Sequence, residues 1–256
     1  MNTLTVSVVQ TDLHWENVDA NLVHFTELLE TASPADLYVL PEMFTTGFSM
    51  APERLAGESF SKGLTWMQKM AAGKNAALTG SLMAEDDGRF YNRLVFARPD
   101  GSAEFYDKKH MFSLGNEQLH YTAGAKKLIV EYNGWKICPM VCYDLRFPVW
   151  SRNTEDYDLL LYVANWPQKR AHHWRGLLVA RAIENQCYVA GCNRAGTDGN
   201  NLEYSGSSML VDFSGAILDE HVNSPAIFSA TLSKEGLDTY RKSFPFLSDK
   251  DNFRLI

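Results

Sequence analysis

Short apolar runs of strand length recur along almost the whole of this chain, and few stretches are long and periodic enough to be helices. That ratio constrains the fold most, because alternating or fully apolar runs of about four to eight residues belong to sheets and a 3.6-residue stripe to helices. Residues 3–10 alternate as a strand, and residues 17–31 carry Leu22, Phe25, Leu28 and Leu29 on one helical face. Residues 36–40 form a short buried strand stopping at Pro41-Glu42, residues 61–72 are helical and 76–83 are again a strand. Residues 93–98 and 103–107 flank Pro99-Asp100-Gly101-Ser102, a hairpin signal. Residues 127–132 and 135–141 flank Asn133-Gly134, a pair that accepts the positive φ of a tight hairpin turn. Strands at 159–163 and 187–192 bracket a helix at 172–184; two more strands surround Asp212-Phe213-Ser214-Gly215, and a last helix runs near 234–241. About a dozen strands interrupted by helices predict an α/β fold of sheets covered by helices. The hairpins predict mixed rather than purely parallel sheets. No linker, low-complexity tract or solenoid-period repeat interrupts the pattern, which predicts one continuous domain over residues 1–256.

The charge balance, 24 − 31 = −7, gives no broad electrostatic grip on nucleic acid. The pairs Lys108-Lys109 and Lys126-Lys127 do not extend into a basic stripe. No apolar stretch approaches the ~20 residues that cross a bilayer, and the amino terminus has no basic leader. The four cysteines, Cys138, Cys142, Cys187 and Cys192, have neither zinc-like pairing nor the density of a disulfide framework. A cytoplasmic protein with reduced thiols is the expectation, with no membrane or nucleic-acid partner.

Three apolar strands each end on a polar group. Leu37-Tyr38-Val39-Leu40 runs into Pro41-Glu42, Glu104-Phe105-Tyr106 into Asp107-Lys108-Lys109-His110, and Ile137–Val141 into Cys142. Ligands gather at the carboxyl ends of strands in α/β proteins, so residues distant in sequence can meet there. A carboxylate, an ammonium and a thiol suffice for nucleophilic catalysis: the carboxylate takes the thiol proton and the ammonium stabilises thiolate and oxyanion. Each member alone also has an ordinary reading, as a small buried hydrophobe, a solvated strand terminus or a surface charge. A Cys–His pair drawn on His110, His172 or His173 is the weaker alternative, because the flanks of Cys142 do not resemble papain-like enzymes.

Leu40-Pro41-Glu42-Met43-Phe44, Tyr106-Asp107-Lys108-Lys109-His110-Met111-Phe112 and Val141-Cys142-Tyr143-Asp144-Leu145-Arg146-Phe147-Pro148 resemble the three signature segments of the nitrilase (carbon–nitrogen hydrolase) superfamily. Ala164-Asn165-Trp166 and Arg181-Ala182-Ile183-Glu184-Asn185-Gln186 are similar to its later segments, so the resemblance covers nearly the whole chain. It implies a four-layer α-β-β-α sandwich with two mixed sheets. It implies Glu42 as general base, Lys108 as catalytic lysine, Cys142 as nucleophile and Glu117 as a second glutamate that positions substrate or lysine. The backbone N–H of Tyr143 would join Lys108 at the oxyanion. No metal or organic cofactor is implied, and members usually pair, so a homodimer is expected with residues 142–153 and the C-terminal arm near its interface.

Within the superfamily, residues 41–48, 146–153 and 164–167 look most like the bacterial omega-amidases, which hydrolyse the terminal amide of 2-oxoglutaramate or 2-oxosuccinamate. Such a substrate has an anionic end. Arg146 is a candidate for it, since guanidinium pairs bidentately with carboxylate; the competing reading is an internal salt bridge to Asp144 or Glu184. Phe48, Phe112 and Trp166 would wall a small ligand. Trp166-Pro167-Gln168 departs from relatives that offer a small hydroxyl residue near the substrate carboxylate. Other readings stay open: a deaminated-glutathione amidase, a carbamoyl hydrolase, a nitrilase, or a non-catalytic scaffold on the same fold.

Overall fold

The computed structural model describes residues 2–253, so the end of the expected C-terminal docking arm, residues 254–256, lies outside the described residues. The first half of the chain forms β1 (Thr3–Gln10), α1 (Val18–Thr31), β2 (Leu37–Val39), α2 (Pro52–Lys74), β3 (Ala77–Asp86), β4 (Arg89–Ala97) and β5 (Ala103–Asp107). The second half forms β6 (Val130–Tyr132), β7 (Trp135–Val141), α3 (Pro148–Ser151), β8 (Leu159–Ala164), α4 (Ala171–Asn185) and β9 (Tyr188–Asn193). It ends with β10 (Ala195–Thr197), β11 (Glu203–Val211), β12 (Ile217–Val222), β13 (Ala226–Ser233) and α5 (Lys234–Ser243).

One sheet has the order β13-β1-β2-β3-β4-β5; the other runs β10-β11-β9-β8-β7-β6, with β12 on β11. Both are mixed, and both are built alike. In one, β1, β2 and β3 are parallel neighbours and β4 is antiparallel. In the other, β7, β8 and β9 are parallel and β11 is antiparallel. Parallel neighbours need crossovers, which α1, α2 and α4 supply.

The period-2 alternation sorts side chains between layers. From β1 and β2, Leu4, Val6, Val8, Leu37 and Val39 enter the core that the two sheets share. Tyr38 and Val9 face the other way, into a core with Phe25, Leu29, Met67 and Ala71 of α1 and α2. Trp174, Leu178 and Ala182 of α4 close the far side of the second sheet. The result is the expected α-β-β-α sandwich.

Several boundaries differ from the sequence reading. Helix α2 begins at Pro52, not Ser61, because proline's fixed φ suits a first helical turn. Its buried face includes Ala56, Ser59, Gly63 and Ala71, so small residues hid the stripe. Strands β3 and β4 run past their apolar positions to a hairpin at Asp87 (φ 49°) and Gly88 (φ 68°), pairing Glu85 with Phe90 and Asp86 with Arg89. The charges there obscured both strand ends. The strand expected at 127–132 shortens to Val130–Tyr132, and the sheets gain two strands without a clear sequence signal, β10 and β13, the latter pairing along all of β1.

Candidate active site

Strand ends carry the candidate residues to one place, as the sequence suggested. After β2 the chain bends at Met43 (φ 45°), whose N–H donates to Ser81 Oγ at 2.8 Å, and this holds Glu42 fully buried. Lys108 follows β5 directly, and Cys142 follows β7. Cys142 has φ 44°, a left-handed conformation that costs a non-glycine residue about 1–3 kcal/mol. That turn takes the thiol off the strand and starts a 3-10 turn, Cys142–Arg146. Glu117 opens another 3-10 turn, Glu117–Leu119.

The Lys108 ammonium lies between two carboxylates, 3.0 Å from Glu42 Oε1 and 2.8 and 2.9 Å from Glu117 Oε1 and Oε2. All three side chains are fully buried. Two negative charges and one positive charge leave a net −1, so neutral donors must complete the site. Asn92 Nδ2 donates to Glu42 Oε1 at 2.8 Å and to Glu117 Oε1 at 3.4 Å. The Asn165 N–H donates to Glu42 Oε2 at 2.8 Å, and the Phe112 N–H to Glu117 Oε2 at 2.6 Å. Burial pulls the Lys108 pKa down, but Glu117 and Glu42 outweigh it, so the pKa is raised and the ammonium stays charged. Burial, then the Glu42 charge, raises the Glu117 carboxyl. The Cys142 thiol is pushed well up, first by burial and then by Glu42, while Lys108 pulls it down. The thiol is therefore held neutral beside the Glu42 carboxylate.

Asp144, two residues past Cys142, braces this turn. Its buried carboxylate accepts from Tyr106 Oη at 2.7 Å, the Val141 N–H at 3.1 Å and the His110 N–H at 3.0 Å, and pairs with His110 Nδ1 at 2.8 Å. The Trp150 indole donates to Tyr106 Oη at 3.0 Å. These bonds fasten the cysteine turn to the segment that bears Lys108. His110 therefore serves Asp144 and stacks on Phe147 at 3.7 Å. On the other side of that segment the Gly124 N–H donates to the Lys108 carbonyl at 2.8 Å, and a Cβ on Gly124 would lie 2.0 Å from the Asp107 carbonyl oxygen. Backbone cannot yield as a side-chain end can, so Gly124→Ala is expected to cost about 3 kcal/mol and to lower turnover by moving Lys108. An unchanged urea midpoint in that variant would contradict the close approach.

A cavity of about 200 Å³ opens above Cys142, large enough for a small acyl amide. Lys108, Cys142, Tyr143, Arg146, Phe48, Phe112 and Trp166 all line it; Glu42 and Glu117 are not in the lining and both contact the lining Lys108. Arg146 makes neither of the salt bridges considered from sequence. Asp144 is engaged as above and Glu184 pairs with Arg181 at 3.1 Å. Arg146 instead stands 4.7 Å over the Trp166 ring and donates to His173 Nδ1 at 3.0 Å. The sequence reading did not single out Asn92, Arg170, Asp198 or Tyr204, and it used Asn165 only as a matching segment; Asn92 joins the network and the other four line the cavity. Asn165 follows the apolar β8 as Cys142 follows β7, so the strand-end rule reaches it. The described residues contain no group of three side chains suited to a metal ion and no helix long and apolar enough to cross a membrane.

A thiol, a carboxylate and an ammonium thus meet at one end of an α-β-β-α sandwich. The carbon-nitrogen hydrolase family model matches residues 5–242, and the chain belongs to that family. It is 48% identical to omega-amidase YafV of Escherichia coli (strain K12), over 98% of each chain. It is 34% identical to 2-oxoglutaramate amidase of Bacillus subtilis (strain 168), over 96% of each. Among solved structures, XC1258 of Xanthomonas campestris, a CN-hydrolase superfamily protein with an arsenic adduct in its active site, is 43% identical with TM-score 0.97 over 100% of both chains. Saccharomyces cerevisiae Nit3, of the nitrilase superfamily, shares the fold at 24% identity and TM-score 0.86, over 95% of each chain.

Proposed function

We propose that this chain is an omega-amidase that releases ammonia from the terminal amide of a 2-oxo dicarboxylic acid monoamide, such as 2-oxoglutaramate or 2-oxosuccinamate, within one domain spanning residues 1–256. Glu42 takes the Cys142 proton as Sγ attacks the amide carbon. The Lys108 ammonium and the Tyr143 N–H receive the oxyanion. Collapse breaks the C–N bond while Glu42 protonates the nitrogen, ammonia leaves, and a thioester remains on Cys142. Glu42 then takes a proton from water, whose oxygen attacks the thioester; collapse of that intermediate releases the acid and restores the thiol. Glu117 holds Lys108 in place.

The observation that carries the substrate assignment is Arg146, whose guanidinium shares the cavity with Cys142 and has no carboxylate partner among the described residues. A substrate carboxylate would complete it. The omega-amidase and 2-oxoglutaramate amidase names of the relatives agree with this reading. Ammonia release from 2-oxoglutaramate, deaminated glutathione, an N-carbamoyl amino acid and a simple nitrile, compared side by side, tests it. The 2-oxoglutaramate rate should dominate; comparable turnover of the nitrile rejects it.

For Glu42→Gln we expect kcat to fall by about 10²–10⁴-fold, the usual contribution of a positioned base, with Cys142 still open to alkylation. Turnover within tenfold of the parent would remove Glu42 from the role. We also read the protein as a cytoplasmic homodimer. The four free, buried cysteines suit a reducing compartment. Exposed Val149 and Phe253 border one groove between α3 and residues 249–253, which supports pairing there. Sedimentation giving a monomer at micromolar concentration counts against the dimer.

A further inference from the structure

We propose that Arg170 is a second specificity-determining cation of the cavity, reading the 2-oxo acid end of the substrate together with Arg146. The inference rests on the amidase reading above and deepens it.

Arg170 ends the 3-10 turn Gln168–Arg170 and lines the same cavity as Cys142. Its backbone is tied to the cavity wall: its carbonyl accepts from the Trp166 indole at 2.8 Å, and its N–H donates to the Pro167 carbonyl at 3.0 Å. Its guanidinium stands 5.4 Å over the ring of Phe112, also in the lining. Among the described residues no carboxylate lies within ion-pair distance of either Arg146 or Arg170. The one acid in the lining, Asp198, is already engaged by Tyr204 Oη at 3.0 Å and by the N–H groups of Asn200 and Leu202 at 2.8 and 3.0 Å. His173 adds no charge: Arg146 donates to its Nδ1, and its pKa is lowered by burial, then by His172, Arg146 and Arg170. The cavity therefore presents two uncompensated guanidiniums.

One guanidinium fork satisfies the two oxygens of a carboxylate. A 2-oxo acid adds a third oxygen on the next carbon, which calls for a second donor. An amino acid amide carries an ammonium at that carbon, and two cations repel it. Arg170 thus separates the amides of 2-oxo acids both from neutral amides and from glutamine.

The test is steady-state ammonia release by the parent protein, Arg170→Gln and Arg170→Lys on 2-oxoglutaramate, glutamine and neutral pentanamide. For Arg170→Gln, KM for 2-oxoglutaramate should rise about tenfold with kcat largely kept, as for loss of one charge-assisted contact. The loss should be several-fold larger than on pentanamide, and the preference over glutamine should narrow. Arg170→Lys should recover part of it, since an ammonium keeps the charge without the fork. An Arg170→Gln protein with the parent's substrate ratios overturns the inference, as does an equal loss on all three amides, which marks a structural role. A parent protein that does not prefer 2-oxoglutaramate to pentanamide overturns the amidase reading itself.

Discussion

Cys142→Ala is expected to abolish ammonia release, lowering kcat by roughly 10⁴-fold or more, as removal of an attacking nucleophile does elsewhere, while the fold survives. The two halves of that expectation have separate grounds. Chemically, the thiol is the only nucleophilic sulfur in the cavity lining, next to the lysine that would receive the oxyanion. Structurally, alanine keeps a Cβ in the same left-handed conformation (φ 44°), so the strain already borne there is unchanged. Only the packing of one sulfur is lost, on the order of 1 kcal/mol. Mass spectrometry of the parent protein during turnover should show an acyl adduct at Cys142, and the variant should show none. Cys138, Cys187 and Cys192 serve as controls. They lie in or beside central strands, fully buried and outside the cavity lining, whereas Cys142 alone of the four lines the cavity. Stoichiometric alkylation should therefore fall on Cys142 alone and stop turnover. Normal turnover by Cys142→Ala, or by protein alkylated there, removes the thioester route.

The strand-end rule explains what the sequence made legible. Glu42, Lys108 and Cys142 each follow a strand, β2 and β5 of one sheet and β7 of the other, and the ends of the two sheets bring them together. Glu117 has no such local mark. It sits in a short 3-10 turn, and only the resemblance to a family drew attention to it. Asn92 was illegible for another reason: it lies in the middle of β4, where an inward polar residue looks like any other alternation, and its partners are 50 and 25 positions away. The Asp144–Tyr106–His110 brace likewise joins residues 34 and 38 positions apart. Fold errors had the same local origin. The small residues on α2 weakened its stripe, and the charged ends of β3 and β4 concealed a hairpin that Asp87-Gly88 announces.

The electrostatics of the network make Lys108 the position where stability and chemistry separate most clearly. Lys108→Met is expected to lower stability by about 3–5 kcal/mol, the usual result of stripping one partner from a buried ion pair. For a chain of this size that is a fall of roughly 10 °C in Tm. Without the ammonium, Glu42 and Glu117 face each other in a site with no exposure, bridged only by Asn92. The pH dependence has a definite sign. Glu117 already has a raised pKa, from burial and then Glu42, even with Lys108 present. Losing the cation raises it further. A carboxyl whose folded pKa exceeds its unfolded value binds the proton more tightly when folded. Its contribution is therefore fully present below the unfolded pKa and lost as pH rises through the folded one. The deficit of Lys108→Met should shrink in acid and widen toward neutrality. Adding Glu117→Gln removes the second carboxylate charge, so the double variant should regain much of the lost Tm, a coupling of contacting residues. Activity should not return with it. The oxyanion would still lack its ammonium, and kcat should stay about 10²–10³-fold down. Denaturation and ammonia release on the two single variants and the double variant complete the cycle. Recovery of activity together with stability would mean that Lys108 serves only to balance charge.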